Sequence, residues 1–406
     1  MQPCLFVPVW YNRGMIDGEA DNMNYGGFLI REKRLEKDWS QEGLCKGICT
    51  ASYLSKIEQG KAEPSETVLR MLLRRLGIPW CGEGSGCTGE GMAEAYELLL
   101  SGERERLGAW MEQETWKQYQ YSPWGLDYQL IDRLFNHQQP LEKELEGLMD
   151  ARQLALQRVL EDRPEEAVRL CPCAFTYEQG GITYYERGNM AQAIEFMHRA
   201  NALAGEEGRV RIMLQARITM GNCYADLMDV PLMTRHYEAA LRIARGLGEE
   251  DILEDIAYNI AATDLQMGRY EKALAYLETT KARPTMLSMH KLAICYEQLG
   301  QPENALEALG CCKGLKDRSP EKLESEMLRT VYLRLTDPNY LDSQKYGDAL
   351  HRSFSLCRSH RAAGFCLFQL PWMLQWYEHH RQYKQVCRLL QEFPEYRKIS
   401  PLKEEK

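Results

Sequence analysis

SQEGLCKGICTASYLSKIEQG, residues 40–60, holds two short helical patterns on either side of one glycine. Ser40 and Thr50 carry side-chain oxygens that accept from the free N–H groups of a first helical turn, so each is a natural N-cap. Gly47 lies between them and ends the first pattern. Upstream, the residues from Met23 form another helical pattern, and Pro64 with Ser65 starts one downstream. Ile30, Leu44, Leu54, Ile57, Val68, Leu72 and Leu76 recur at three- and four-residue spacings, which gives each helix one apolar stripe for a shared core. Four short helices with a tight glycine turn make a helix-turn-helix domain over residues 23–80.

Charge sets this head apart from the rest of the chain. Residues 23–80 hold ten Lys and Arg against seven Asp and Glu, whereas residues 81–406 hold 39 against 49. Phosphate neutralisation needs clustered cations rather than net charge, so a basic head on an acidic body suits a nucleic-acid module joined to something else. At 406 residues the chain exceeds one ordinary core, so several domains or a repeat array are expected.

No run approaches the roughly eighteen apolar residues that cross a bilayer, so no membrane partner is expected. The opening MQPCLFVPVW has no basic residue before Arg13 and reads poorly as a secretory signal, which gives a cytoplasmic expectation. Residues 1–22 lack helical periodicity and are expected to be a disordered leader, or to precede a true start at Met23. The fourteen cysteines are scattered through helical patterns, so reduced thiols are expected. Cys81 and Cys87 flank a glycine-rich stretch and Cys171 and Cys173 flank one proline, but neither pair has a second pair at zinc spacing, and no metal or cofactor is expected.

Ser40, Gln41, Leu44, Ser52, Tyr53, Leu54, Ser55, Lys56, Ile57, Glu58 and Gly60, followed by Pro64 and Ser65, resemble the XRE class of phage-repressor helix-turn-helix domains over about fifty residues. The turn LCKGICT is one residue shorter than is usual there and is similar to that of the peptide-pheromone regulators of the RRNPP group. The resemblance implies that the helix from Thr50 to Glu58 enters the DNA major groove, with Ala51, Ser52, Tyr53 and Lys56 facing bases. It places Gln41 and Thr50 at helix N-termini that hold phosphates, and it makes Arg34 and Glu58 a structural ion pair. Two heads on a pseudopalindromic operator imply a homodimer.

Residues 81–91, CGEGSGCTGEG, contain five glycines and read as a flexible linker. Beyond it, residues 92–400 carry a repeating phase of a small residue, an aromatic three later, glycine at seven, alanine at twelve, a large apolar residue at sixteen and alanine at nineteen. The copies begin at Gly181, Gly221, Ala261 and Ala293, 40, 40 and 32 residues apart. This pattern resembles the tetratricopeptide repeat, so the expected fold is all-α: a helix-turn-helix head followed by a right-handed superhelix of helix pairs. The first helix of each pair lines the concave face, and the phase puts Glu178, Tyr185, Glu186, Gln215, Asn222, Asp226, Asp255, Tyr258, His290 and Glu297 on or near it, with Asn259 at its edge. In RRNPP receptors, asparagines there hold a peptide backbone, which implies that role for Asn222 and Asn259. Five of the ten are acids and none is Lys or Arg, so a cationic peptide or a free amino terminus is expected.

The function expected is a DNA-binding transcription regulator of quorum-sensing type, controlled by a short signalling peptide in that groove. A repressor whose body docks a folded protein partner is the alternative. No glycine-rich phosphate loop, HExxH or GxSxG is present, and the neighbours His379 and His380 point about 100° apart on a helix, so no catalytic residue is assigned.

Overall fold

The computed structural model describes residues 23–81, 86–282, 284–317, 319–360 and 363–394. The reading of residues 1–22 as a leader lies outside them. No strand occurs among the described residues, which are overwhelmingly helical. Two compact units emerge: the residues through Thr183 with Glu195–Met213, and Tyr184–Ile194 with the residues from Leu214 onward.

The head, in the first unit, consists of α1 (Met23–Glu36), α2 (Gln41–Cys45), α3 (Ala51–Glu58) and α4 (Glu66–Arg75). Ser40, Thr50 and Ser65 cap α2, α3 and α4 by accepting from the N–H groups of Gly43, Tyr53 and Val68. Ile30, Leu44, Leu54 and Leu72 are fully buried, with Ile57 and Leu76 at 1%; Val68 is only partly buried, and Leu69, one residue on, takes its place in the core.

The glycine-rich stretch gives way to helix earlier than its composition implies. The helix Gly89–Leu100 already includes the last three residues of that stretch, and Cys81 and Cys87 are buried and joined by a disulfide, against the expectation of free thiols. The head is also anchored on the following helices: the Tyr25 hydroxyl donates to Gln120 O and accepts from Gln129 Nε2, at 3.2 and 3.0 Å. Burial pushes the Tyr25 phenol up to about 12. This tyrosine anchor is invisible in local composition.

The repeat phase found in the sequence corresponds to helix pairs. Ala174–Glu186 precedes Met190–Glu207, Val210–Asp226 precedes Val230–Leu247, Glu250–Gln266 precedes Tyr270–Leu277, and Met286–Gln298 precedes Pro302–Gly310. The seventh phase position falls in each inter-helix turn in left-handed conformation: Gly188, Gly268 and Gly300 at φ 74°, 72° and 71°, and Met228 at 57°. Three of the four are glycine because a Cβ is disfavoured there. At the first phase position of the second copy, a Cβ on Gly221 would stand 2.4 Å from the Tyr237 ring, so only hydrogen allows these helices to meet. Helices flank the repeats on both sides, ending in Ala363–His379 and Tyr383–Glu392.

Candidate nucleic-acid interface and repeat-body site

The head is held in register by one buried network. Arg34 forks onto Glu58, Nε to Oε1 at 2.7 Å and Nη2 to Oε2 at 2.9 Å, with both residues under 9% exposed. Its third contact, Nη1 to the Trp39 carbonyl at 2.7 Å, ties the end of α1 to the start of α2. The Glu58 hydrogen bond is the main influence raising the Arg34 pKa, so the guanidinium keeps its charge. The pair is the structural one expected from the sequence.

Gln41, assigned to phosphate from the sequence, donates its amide to Glu58 Oε2 at 2.8 Å. The carboxylate has lone pairs beyond those that Arg34 uses, and Gln41 satisfies one of them. Thr50 accepts from the Tyr53 N–H at 3.2 Å, and Ala51 and Tyr53 pack partly onto the head core. The Tyr53 hydroxyl donates to the Glu63 carbonyl at 3.0 Å, so it is engaged by the chain itself. Ser52 and Lys56, four residues apart on α3, are both exposed. Of the residues assigned to bases, these two are the ones a duplex meets without first displacing a partner. Lys46 and Lys61 are exposed at the two ends of the turn and helix that carry them.

One contributor was missed. Arg75 Nη1 donates to the carbonyls of Leu44 and Lys46, at 2.7 and 2.6 Å, and so satisfies C-terminal carbonyls of α2 that a short helix leaves open. It fixes the α2–α3 turn from thirty residues away, and no local pattern marks it.

In the body, Glu178 lies in the first unit and the other residues assigned to the groove lie in the second. Glu178 is buried, and its carboxyl is pushed up to about 8, chiefly by that burial. It is therefore mostly neutral near pH 7, contrary to its expected role as a groove anion. Glu297 is engaged by Arg334 at 2.9 Å. Asp226 hydrogen-bonds Tyr185, whose phenol is pushed up by burial and then by that carboxylate. Asp255 sits beside Asp251 and Glu254, and partial burial first, then those charges, raises its pKa. Glu186 is exposed at the end of its helix. The anionic field is thus weaker than five carboxylates suggest.

His290 is 1% exposed and held neutral by burial and by Lys291. Gln215 donates to Thr219 Oγ1 at 3.3 Å, and Tyr258 is half-buried. Asn222 and Asn259 meet: Asn259 Nδ2 donates to Asn222 Oδ1 at 3.3 Å, and the same oxygen accepts the Tyr237 hydroxyl at 2.7 Å. Both asparagines remain partly exposed. The structure brings these two side chains into contact and places the buried Tyr237 beneath them.

A helix-turn-helix family model matches residues 30–81. Among solved structures, the crystal structure of a Rap protein complexed with competence and sporulation factor is 14% identical over 76% of this chain and 97% of that one, with a TM-score of 0.52. The Rap conjugation gene regulator of the plasmid pLS20, in complex with a Phr peptide, is 12% identical over 91% and 96%, at 0.45. Bacillus thuringiensis PlcR, in complex with the peptide PapR7 and DNA, is 13% identical over 77% and 99%, at 0.32. No curated protein matches the sequence. Residues 30–81 are a helix-turn-helix domain of the DNA-binding kind, and the chain carries it on an all-helical repeat fold like that of the Rap protein. None of the helices among the described residues is long and apolar enough to cross a membrane.

Proposed function

We propose that the chain is a sequence-specific transcription regulator that acts in the cytoplasm as a homodimer on a pseudopalindromic operator and is controlled by a short signalling peptide. The observation that carries the DNA half is the pairing of exposed Ser52 and Lys56 on a helix whose orientation is set by the Arg34, Glu58 and Gln41 network. Ser52 and Lys56 read base edges, with Ala51 and the Tyr53 ring packed alongside. Thr50 and the free N–H groups at the start of α2, beside Gln41, meet phosphate.

For the peptide half, Asn222 and Asn259 are the leading contacts. An amide offers both donor and acceptor to a backbone whatever its side chains, and these two pre-orient one another. Gln215, Asp226 and Tyr258 lie on the same two helices. Glu178, mostly neutral near pH 7, contributes less charge than the sequence suggests.

The test is calorimetric titration of the full chain with two pools of short synthetic peptides, one with free amino termini and lysine, the other acetylated and neutral. Saturable binding that Asn222→Ala weakens for both pools supports the reading. Binding of neither pool, with DNA binding intact, favours control by a docked protein instead.

A further inference from the structure

The segment Leu170–Pro172–Cys173 joins the helix Pro164–Leu170 to Ala174–Glu186 and carries two thiols that the regulator reading leaves unused. Cys171 and Cys173 are both partly exposed and separated by one proline, and the Cys173 N–H donates to the Cys171 carbonyl at 3.0 Å, so a tight turn brings the two residues together. The Cys173 sulfur sits at the N-terminus of a thirteen-residue helix, 3.6 Å from Thr176 Oγ1. Thr176 holds the turn from the other side, its hydroxyl donating to the Cys171 carbonyl at 2.6 Å. The positive end of that helix favours a thiolate, and a low-pKa thiolate beside a second thiol is the arrangement that supports disulfide exchange.

We propose that Cys171 and Cys173 form a redox-active dithiol in which Cys173 is the attacking thiolate and Cys171 the resolving thiol. The oxidant class is a low-molecular-weight disulfide. The Cys173 thiolate attacks one sulfur of that disulfide, forming a mixed disulfide and releasing one thiolate. Cys171 then gives up its proton to the released thiolate and attacks the Cys173 sulfur, which expels the second thiolate. Two protein thiols are oxidised and one small disulfide is reduced to two thiols.

The charged and titratable neighbours bias which sulfur ionises. The neighbouring Cys171 thiol is the main influence lowering the Cys173 pKa, against burial and the Glu207 charge. Cys171 is raised by the neighbouring Cys173 and then by burial, with Arg152 opposing that rise. Glu178, one turn along the helix, is mostly neutral near pH 7 and so does not repel the thiolate strongly.

The experiment treats the reduced full chain with oxidised glutathione near pH 7, quenches with acid and maps the tryptic peptide spanning residues 170–187 by mass. The expected product is a Cys171–Cys173 disulfide, formed at least about tenfold faster than glutathionylation of exposed Cys311 or Cys387 in the same molecules. Cys171→Ser should stall as a mixed disulfide on Cys173, and Cys173→Ser should slow to the rate of the exposed cysteines. The wild-type comparison is internal, so it stands even if a variant folds poorly. A wild-type peptide that reacts no faster than Cys387, or a Cys173→Ser chain that reacts at the wild-type rate, overturns the proposal.

Discussion

Asn259 donates from Nδ2 to Oδ1 of Asn222 across 3.3 Å, and that oxygen is also the acceptor of the Tyr237 hydroxyl. Tyr237 is only 1% exposed, so removing Asn222 takes away the acceptor of a buried hydroxyl. The residue assigned to peptide binding is therefore also structural. Asn222→Ala is expected to cost about 1–3 kcal/mol of stability, the penalty of a buried donor left unsatisfied. Asn259→Ala leaves that pair intact and should cost less. Denaturant unfolding of both variants, with Asn222→Ala/Tyr237→Phe as the control that removes the orphaned hydroxyl, separates structure from ligand contact.

Gly221 faces the same ring. With Tyr237 pinned by its hydroxyl, the ring cannot slide away from a Cβ only 2.4 Å distant. Gly221→Ala should destabilise the second unit by about 1–3 kcal/mol through overpacking. A melting profile unchanged from wild type would mean that the helix pair is looser than described.

The head's frame is a buried ion pair, and its loss should be severe because one charge is left behind. Arg34→Ala or Glu58→Ala is expected to cost about 3–5 kcal/mol. Arg75→Ala acts more mildly, by about 1 kcal/mol, because it frees carbonyls near the surface of the α2–α3 turn. All three should reduce binding to every duplex alike, since what they change is the frame and not a base contact. Circular dichroism melts alongside binding isotherms distinguish these effects.

The periodicities of the sequence made the element types legible: the caps at Ser40, Thr50 and Ser65, and the turn positions at Gly188, Met228, Gly268 and Gly300, all lie where spacing put them. What spacing could not carry was long-range commitment. Gln41 and Tyr53 look available on a helical wheel, yet Glu58 and the Glu63 carbonyl engage them. Glu178 and Glu297 look like groove anions, but burial neutralises one and Arg334 pairs with the other. The anchor from Tyr25 to Gln120 and Gln129 joins residues about a hundred positions apart, beyond any local pattern.

Glu178 offers a test in pH. Its carboxyl lies well above the ordinary range in the folded chain, at about 8, so between the unfolded value near 4.5 and that point the folded state holds a proton that the unfolded state has lost. This contribution is fully present below the unfolded value and disappears as pH rises through the folded one. Wild-type melting temperature should therefore fall from pH 5 to 8 more steeply than that of Glu178→Gln. Parallel profiles would show that the carboxyl is solvated.

The central claim is that α3 reads sequence through Ser52 and Lys56, and the most direct measurement is selection of bound DNA from a random duplex pool by the full chain. The account predicts enrichment of a pseudopalindromic site. Ser52→Ala or Lys56→Ala should then weaken that site by about 1–3 kcal/mol relative to random DNA where a good base contact is lost, while Gln41→Ala weakens both DNAs similarly. A pool that remains unenriched, or equal losses on both DNAs for all three variants, would contradict it.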